Sequence, residues 1–350
     1  MDRLLTTTLI IRFSSVGDII LTSPLIRTLR TRFPHCRIDF LVKEDHADLI
    51  RHNPHLSQTL LLPKGSGLTE LRRIRTQIRS SRYDLILDMH DNLRSRFLTL
   101  GPTPVVRYNK RRFARFMLIN AHLDLYRWTG GAPPMHQRYL EPLAPYGVVD
   151  DGAGPEVFVT GEIEASATAI LAAAGLPPMQ RAIGVCPSAR HATKMWDAGH
   201  FAAAASTLAQ ERGLPVLLFG SQEERGRCEQ IAQTIRTDPA STQVINMAGL
   251  CTLLETAAAM DRCAVVLTND TGLMHLAAAR TCPIVAVFGP TVRQFGFFPH
   301  GEHSIVIEHQ ALSCRPCSAI GGATCPKRHF RCMNDIEPPR VIEAARSLLH

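Results

Sequence analysis

Four stretches of this 350-residue chain place hydroxyl, carboxylate, ammonium and glycine groups in short loops that follow apolar, strand-like runs. The first is Ser14-Ser15-Val16-Gly17-Asp18, directly after Thr7–Phe13. Gly17 allows close backbone approach. Asp18 either caps the helix that begins there or stands as a carboxylate able to accept a proton from an attacking hydroxyl. No GxGxxG occurs here, so a dinucleotide fingerprint is unsupported. The second stretch, Pro187–Trp196, offers Ser188, Thr193 and Lys194 between a strand and a helix. Hydroxyls and an ammonium in that place suit a diphosphate, the alternative being a polar surface loop. The third, Phe219–Arg225, presents Glu223 and Glu224. A carboxylate there either binds ribose hydroxyls or an adenine amino group, or complements the dipole of the following helix. The fourth, Leu267–Ala279, reads as a strand, a polar turn (Asp270, Thr271, Gly272) and a helix carrying His275. Backbone N–H groups at such a helix start form an anion site. The alternative is a capped helix with a core histidine.

The elements that must position these loops alternate in kind. Apolar runs at residues 7–13, 37–42, 59–62, 84–88 and 105–108 read as strands, separated by helical patterns at 19–33, 46–52, 69–81, from 92, and 111–118. The stretch 143–160, rich in Gly, Pro and Asp, reads as a linker. A second series follows, with strands at 183–186, 216–219, 244–245, 264–267 and 284–288. Its helices fall at 162–175, 200–213, 223–237, 252–261, 273–279 and 338–349. Strands alternating with helices imply βαβ units and parallel sheets. The expected fold is α/β, with two Rossmann-like doubly wound domains facing across a cleft. They span residues 1–155 and 156–335, with a terminal helix over 336–350.

Charge is unevenly spread. Residues 1–150 carry 23 Lys and Arg against 13 Asp and Glu, whereas residues 151–350 carry 16 against 18. With 34 Arg and only 5 Lys, the first half suits an anionic partner that a planar guanidinium can grip in bidentate fashion. The densest stretch is Arg107–Arg115, with Lys110, Arg111 and Arg112 at its centre and Arg94 and Arg96 extending it. It is either a binding patch or a solvated helix face. Ten cysteines are present. Four of them, Cys314, Cys317, Cys325 and Cys332, crowd into nineteen residues, which suits a structural zinc, disulfide or redox pairing, or plain thiols. No run approaches the roughly 18–20 apolar residues of a membrane span, and no leader-like segment opens the chain. The expected compartment is the cytoplasm, with peripheral contact at the inner face of the inner membrane.

In order and spacing, IIRFSSVGDIILTSPLIRTLRTRFP, the KMW loop, FGSQEE, TNDTGLMHLAAARTCPIVAVFGPT and the cysteine-rich SCRPCSAIGGATCPKRHFRCMNDI resemble glycosyltransferase family 9, the heptosyltransferases of the lipopolysaccharide core. The resemblance implies a GT-B fold and inverting transfer of heptose from ADP-heptose, or a similar nucleotide sugar, to an anionic glycolipid acceptor (Kdo-lipid A or core heptose). It implies Asp18 as general base and Lys194 as the diphosphate contact. Glu223, or Glu224, is then the adenosine-side carboxylate. Asp270, Thr271, Gly272 and His275 form the donor-sugar and phosphate turn, beside Ser188 and Thr193. Gly17, Arg94, Arg107, Lys110, Arg111 and Arg112 are the acceptor-side candidates. No cofactor is expected for catalysis, and the resemblance supplies no metal role for the cysteine tail. Two other readings stay open: transfer of another sugar to a surface glycan, and a noncatalytic nucleotide- or nucleic-acid-binding protein. The second predicts aromatic stacking residues in the basic patch, where only Tyr108 and Phe113 are interleaved. No nucleic-acid partner is expected.

Overall fold

The computed structural model describes residues 4–128, 131–237 and 242–349. By its contacts the chain divides into two units, one of residues 1–110 and 133–158, the other of residues 111–132 and 159–350.

The first unit is built on a five-stranded parallel sheet. In chain order it comprises β1 (Thr7–Ile11), α1 (Val16–Ile20), α2 (Ser23–Arg32), β2 (Arg37–Lys43), α3 (Asp48–Arg51), β3 (Gln58–Leu62), α4 (Leu68–Ser80), β4 (Leu85–Asp88), α5 (Leu93–Leu98) and β5 (Val105–Arg107). The strands lie in the order β3-β2-β1-β4-β5. β1 and β4 are nearly wholly buried, as expected of parallel strands covered on both faces. Leu9, Ile11, Leu41, Leu60 and Ile86 form one side of the core with Leu71, Ile74 and Ile78 of α4. The helical pattern expected over 19–33 is two helices. Thr22 ends the first, and Pro24 takes an early position of α2, where its missing N–H costs nothing. The segment read as a linker is strapped to α2: Arg27 makes a bidentate pair with Asp151 (2.7 Å for each bond) and a further one with Glu156 at 2.9 Å.

The chain then contributes α6 (Arg112–Ala121) to the second unit before returning to the first with α7 (Met135–Leu140). The second unit continues with α8 (Gly161–Ala173), β6 (Ala182–Cys186), α9 (Ala198–Arg212), β7 (Val216–Leu218), α10 (Arg225–Arg236), β8 (Val244–Asn246), α11 (Leu253–Met260), β9 (Cys263–Asn269), α12 (Gly272–Ala279), β10 (Ile284–Phe288), β11 (Ser304–Glu308), α13 (Arg331–Asn334) and α14 (Pro338–Arg346). Its six parallel strands run β11-β10-β9-β6-β7-β8. Strand β11 and helix α7 are additions to the sequence reading. Helices α9, α10 and α14 pack over this sheet around Trp196, Phe201, Leu208 and Ile231. Among the described residues no helix is long and apolar enough to cross a membrane.

In each sheet the strand order reverses direction beside the first strand of the unit, between β1 and β4 and between β6 and β9. Ligands of doubly wound sheets bind outside the carboxyl ends of the strands at such a switch point. Asp18 follows β1, His90 and Asp91 follow β4, Ser188 follows β6 and Asp270 follows β9, so the candidate residues stand where the topology puts a ligand.

Candidate active site

In the first unit Asp18 is the third residue of α1, and Ser15, not Asp18, is its cap. The backbone N–H and hydroxyl of Ser15 donate to Asp18 Oδ2 at 3.3 and 2.8 Å. The other oxygen, Oδ1, meets Arg12 Nη2 at 2.6 Å and accepts from Tyr139 Oη at 3.3 Å. The Ser15 contacts and the Arg12 and Tyr139 contacts therefore fall on different oxygens of one carboxylate. Arg12 closes the site from below. Its Nε donates to the Ser14 carbonyl at 2.8 Å and its Nη1 to the Met89 carbonyl. The Arg12 side chain is 8% exposed and that of Asp18 19%, so the carboxylate keeps a face to solvent while its partner does not. Burial pushes the Asp18 pKa up; the Arg12 charge and the Ser15 hydrogen bonds push it down further, and it ends below the ordinary carboxylate range.

Arg12 and Tyr139 were not singled out in the sequence. The signal for Arg12 is its place as a lone charge closing the apolar run LIIRF. His90 stacks on Phe13 with ring centroids 4.7 Å apart. Burial, then Arg12 and Lys110, lower its pKa to about 4, so it is neutral at pH 7. Its Nδ1 has no hydrogen-bond partner among the described residues.

The basic stretch is not a single open patch. Arg107 pairs with Asp88 at 3.1 Å and faces Asp91 at 3.8 Å. Arg96 pairs with Asp91 at 2.8 Å. Lys110 Nζ donates to the carbonyls of His90 (2.8 Å) and Asp91 (2.7 Å). These cations hold the turn after β4. Arg94 and Arg112 are exposed, Arg111 is buried, and Arg111 and Arg112 belong to the second unit while Arg94, Arg107 and Lys110 belong to the first. Gly17 is buried in α1.

In the second unit the parallel pairing of β6 with β9, with Cys186 opposite Thr268, brings two of the loops together. Lys194 Nζ lies 2.6 Å from Asp270 Oδ2, which also accepts from Thr291 Oγ1 at 2.7 Å. Asn269 ties the loops from behind: its Nδ2 donates to the Pro187 carbonyl at 2.8 Å, and its Oδ1 accepts from Trp196 N–H at 2.9 Å. Ser188 is buried and its hydroxyl has no partner among the described residues. Thr271 is the cap of α12 and Gly272 its first residue, leaving first-turn N–H groups for an anion. His275 is buried on α12, its ring 6.3 Å from that of Phe297. The third loop leaves β7, the other neighbour of β6. There Glu224 accepts from the Ser221 N–H at 2.8 Å as a capping carboxylate, whereas Glu223 is exposed.

The cysteine tail does not form the expected tetrahedral set. Among the described residues no group of three or more His, Cys, Asp or Glu is gathered as a metal site, and Cys314 Sγ lies 3.7 Å from His329 Nε2. Cys332 is buried, while Cys314, Cys317 and Cys325 are only partly so. The tail braces the 191–194 turn. Thr193 Oγ1 accepts from the Gly322 N–H at 2.8 Å, and Thr193 N–H donates to the Gly322 carbonyl at 3.1 Å.

Residues 71–325 match the family model described as glycosyltransferase family 9 (heptosyltransferase). The chain is 29% identical to lipooligosaccharide heptosyltransferase 2 of Haemophilus influenzae, over 97% of its own length and 99% of the relative's. It is 27% identical to lipopolysaccharide heptosyltransferase 2 of Escherichia coli, over 97% and 98%. Among solved structures, a family 9 glycosyl transferase of Veillonella parvula superposes with a TM-score of 0.81 at 22% identity, covering 100% of this chain and 98% of that one. The ADP-heptose lipopolysaccharide heptosyltransferase II of E. coli superposes with a TM-score of 0.74 at 25% identity, covering 98% of each.

Proposed function

The chain belongs to glycosyltransferase family 9, and from that membership we propose that it moves a heptose from ADP-heptose to an anionic inner-core acceptor of lipopolysaccharide, with inversion at the anomeric carbon. It is a glycosyltransferase of GT-B type. The observation that carries the residue assignment is the Asp18 carboxylate, held by Arg12 and Tyr139 at the carboxyl end of β1 with one face open. In the reaction the acceptor oxygen attacks the anomeric carbon as the bond from that carbon to the diphosphate oxygen breaks. ADP leaves, and the hydroxyl proton passes to Asp18. A carboxylate of lowered pKa is a weak base, so the proton moves late, once the attacking oxygen has given up electron density.

The charge of the departing diphosphate falls to Lys194 and the first-turn N–H groups of α12, with Ser188 and Thr193 beside them. Asp270 and Thr291 hold the ammonium in place until the donor arrives. Glu223 takes the adenosine side. Arg94 and Arg112, exposed in the structure, suit the carboxylates and phosphates of the acceptor. That acceptor is anchored in lipid, so the enzyme works at the cytoplasmic face of the membrane.

Asp18→Asn keeps the size of the side chain and one accepting oxygen but accepts no proton. Its kcat should fall about 10²–10⁴-fold with ADP affinity unchanged, as followed by ADP release from ADP-heptose and a truncated core acceptor. Unchanged turnover removes the base assignment. Absence of ADP release from the wild type with every core acceptor removes the reaction itself.

A further inference from the structure

The helix α6 and the turn after it turn their surface inside out. Ala114 and Leu118 face inward, packed with Tyr126 and Phe295. Larger apolar side chains on the helix and in the turn after it are left exposed: Phe113 is 70% exposed, Phe116 58%, Leu123 51% and Trp128 84%. At 100° per residue Phe113 and Phe116 share the face opposite Ala114 and Leu118, and Arg112 and Arg115 border it. Residues 111–128 carry four Arg and one acid, Asp124. Asp124 is itself occupied, accepting from Gln294 at 3.1 Å and lying 3.9 Å from Arg127. Exposed aromatic and aliphatic side chains concentrated in one short segment, with cations interleaved, mark a contact surface.

We propose that this segment is the membrane-docking surface of the protein, with Phe113, Phe116, Leu123 and Trp128 entering the headgroup region of an anionic phospholipid bilayer and the flanking arginines lying against its phosphates. The charge is complementary to that surface, and aromatic and aliphatic side chains bordered by cations are what a helix lying in an interface presents. A ten-residue helix is only about 15 Å long, a short platform for the roughly 800 Å² per partner of a stable protein interface, so a second copy of the chain is the poorer occupant. This deepens the reading of a lipid-anchored acceptor: docking would deliver the enzyme to the surface on which its substrate is displayed.

The test uses the whole protein with vesicles of phosphatidylcholine alone and with about one-third phosphatidylglycerol. The chain has two tryptophans, and Trp196 is fully buried, so a blue shift of fluorescence reports Trp128. Expected are co-flotation with the anionic vesicles, that blue shift, and at least tenfold weaker partition for Phe113→Ser/Phe116→Ser. Arg115→Gln/Arg127→Gln should partition less and with a weaker salt dependence. No association with anionic vesicles overturns the proposal, as does a Phe113→Ser/Phe116→Ser variant that binds like the wild type. A concentration-dependent dimer abolished by the same two substitutions, without vesicle binding, overturns it in favour of a second copy. Turnover on a deacylated, water-soluble acceptor separates this from the transferase reading. The double Phe variant should keep that turnover, and a wild type that binds vesicles but turns over no acceptor would sink the transferase reading alone.

Discussion

Asp18 sits between two opposed effects. Burial disfavours its charge, while Arg12, itself inaccessible, favours it, and Arg12 wins together with Ser15. The other groups around the carboxylate are Tyr139, whose pKa burial and Asp18 raise well above its usual value, Tyr108, packed edge-on to Tyr139, and the neutral His90. None of these supplies a second cation. Replacing Arg12 by Met should therefore leave burial opposed only by the Ser15 hydrogen bonds and move the acidic limb of the kcat/KM profile upward. Because the folded pKa of Asp18 is depressed, its pairing stabilises the protein above the unfolded-state pKa, and that stabilisation is lost as pH falls through the folded one. Breaking a buried pair also costs on the order of 3–5 kcal/mol of stability, so Arg12→Lys is the second variant. It should restore the limb even where stability stays reduced. An acidic limb that stays put in Arg12→Met would show that the guanidinium does not keep Asp18 ionised.

At the scale of elements, register decides what meets what. The loops after β6 and β9 converge because those strands are paired, and a third contact comes from the distant tail. Gly321 has a φ of +93°, and a Cβ there would lie 2.9 Å from His191 Cβ and 3.2 Å from Lys194 Cγ and Thr193 Oγ1. Gly321→Ala should push the 191–194 turn away from Asp270. We expect the donor KM to rise about tenfold, equivalent to ~1.4 kcal/mol, with kcat at saturation nearly kept. An unaltered donor KM would show that the tail does not set the position of Lys194.

Much of this architecture was legible in the residues. Runs such as LIIRF, FLV and AVVLT are apolar because both faces of a parallel strand are covered, and each is followed by its polar turn. Strand β11 escaped because SIVIE is short and only half-buried, at the edge of its sheet. The break between α1 and α2 escaped although Pro24 signals a helix start. The partners of the site residues were harder to see. Tyr139 lies 121 residues from Asp18 and Thr291 lies 21 from Asp270, so only tertiary contact reveals them. The cysteine spacing suggested a ligand set because spacing does not report where a loop points its thiols.

For the molecule as a whole, the excess positive charge of residues 1–150 looks less like an unoccupied patch once its pairs are drawn. Arg12, Arg27, Arg96, Arg107 and Lys110 each face carboxylates of their own unit. Arg94 and Arg112 are among the more exposed cations. The path of the chain has a further consequence. Because residues 111–132 pack with the second unit while both flanking segments pack with the first, no single scission yields two self-sufficient pieces. A fragment ending near residue 155 would carry Ala114, Leu118 and Tyr126 away from Phe295, leaving an apolar scar on both products. Such halves should aggregate or bind a hydrophobic dye when produced separately. A pair in which residues 111–132 travel with 159–350, joined by a short bridge, and 1–110 is spliced to 133–158 should stay dispersed. Equal behaviour of the two dissections would show that α6 contributes nothing to the integrity of its unit.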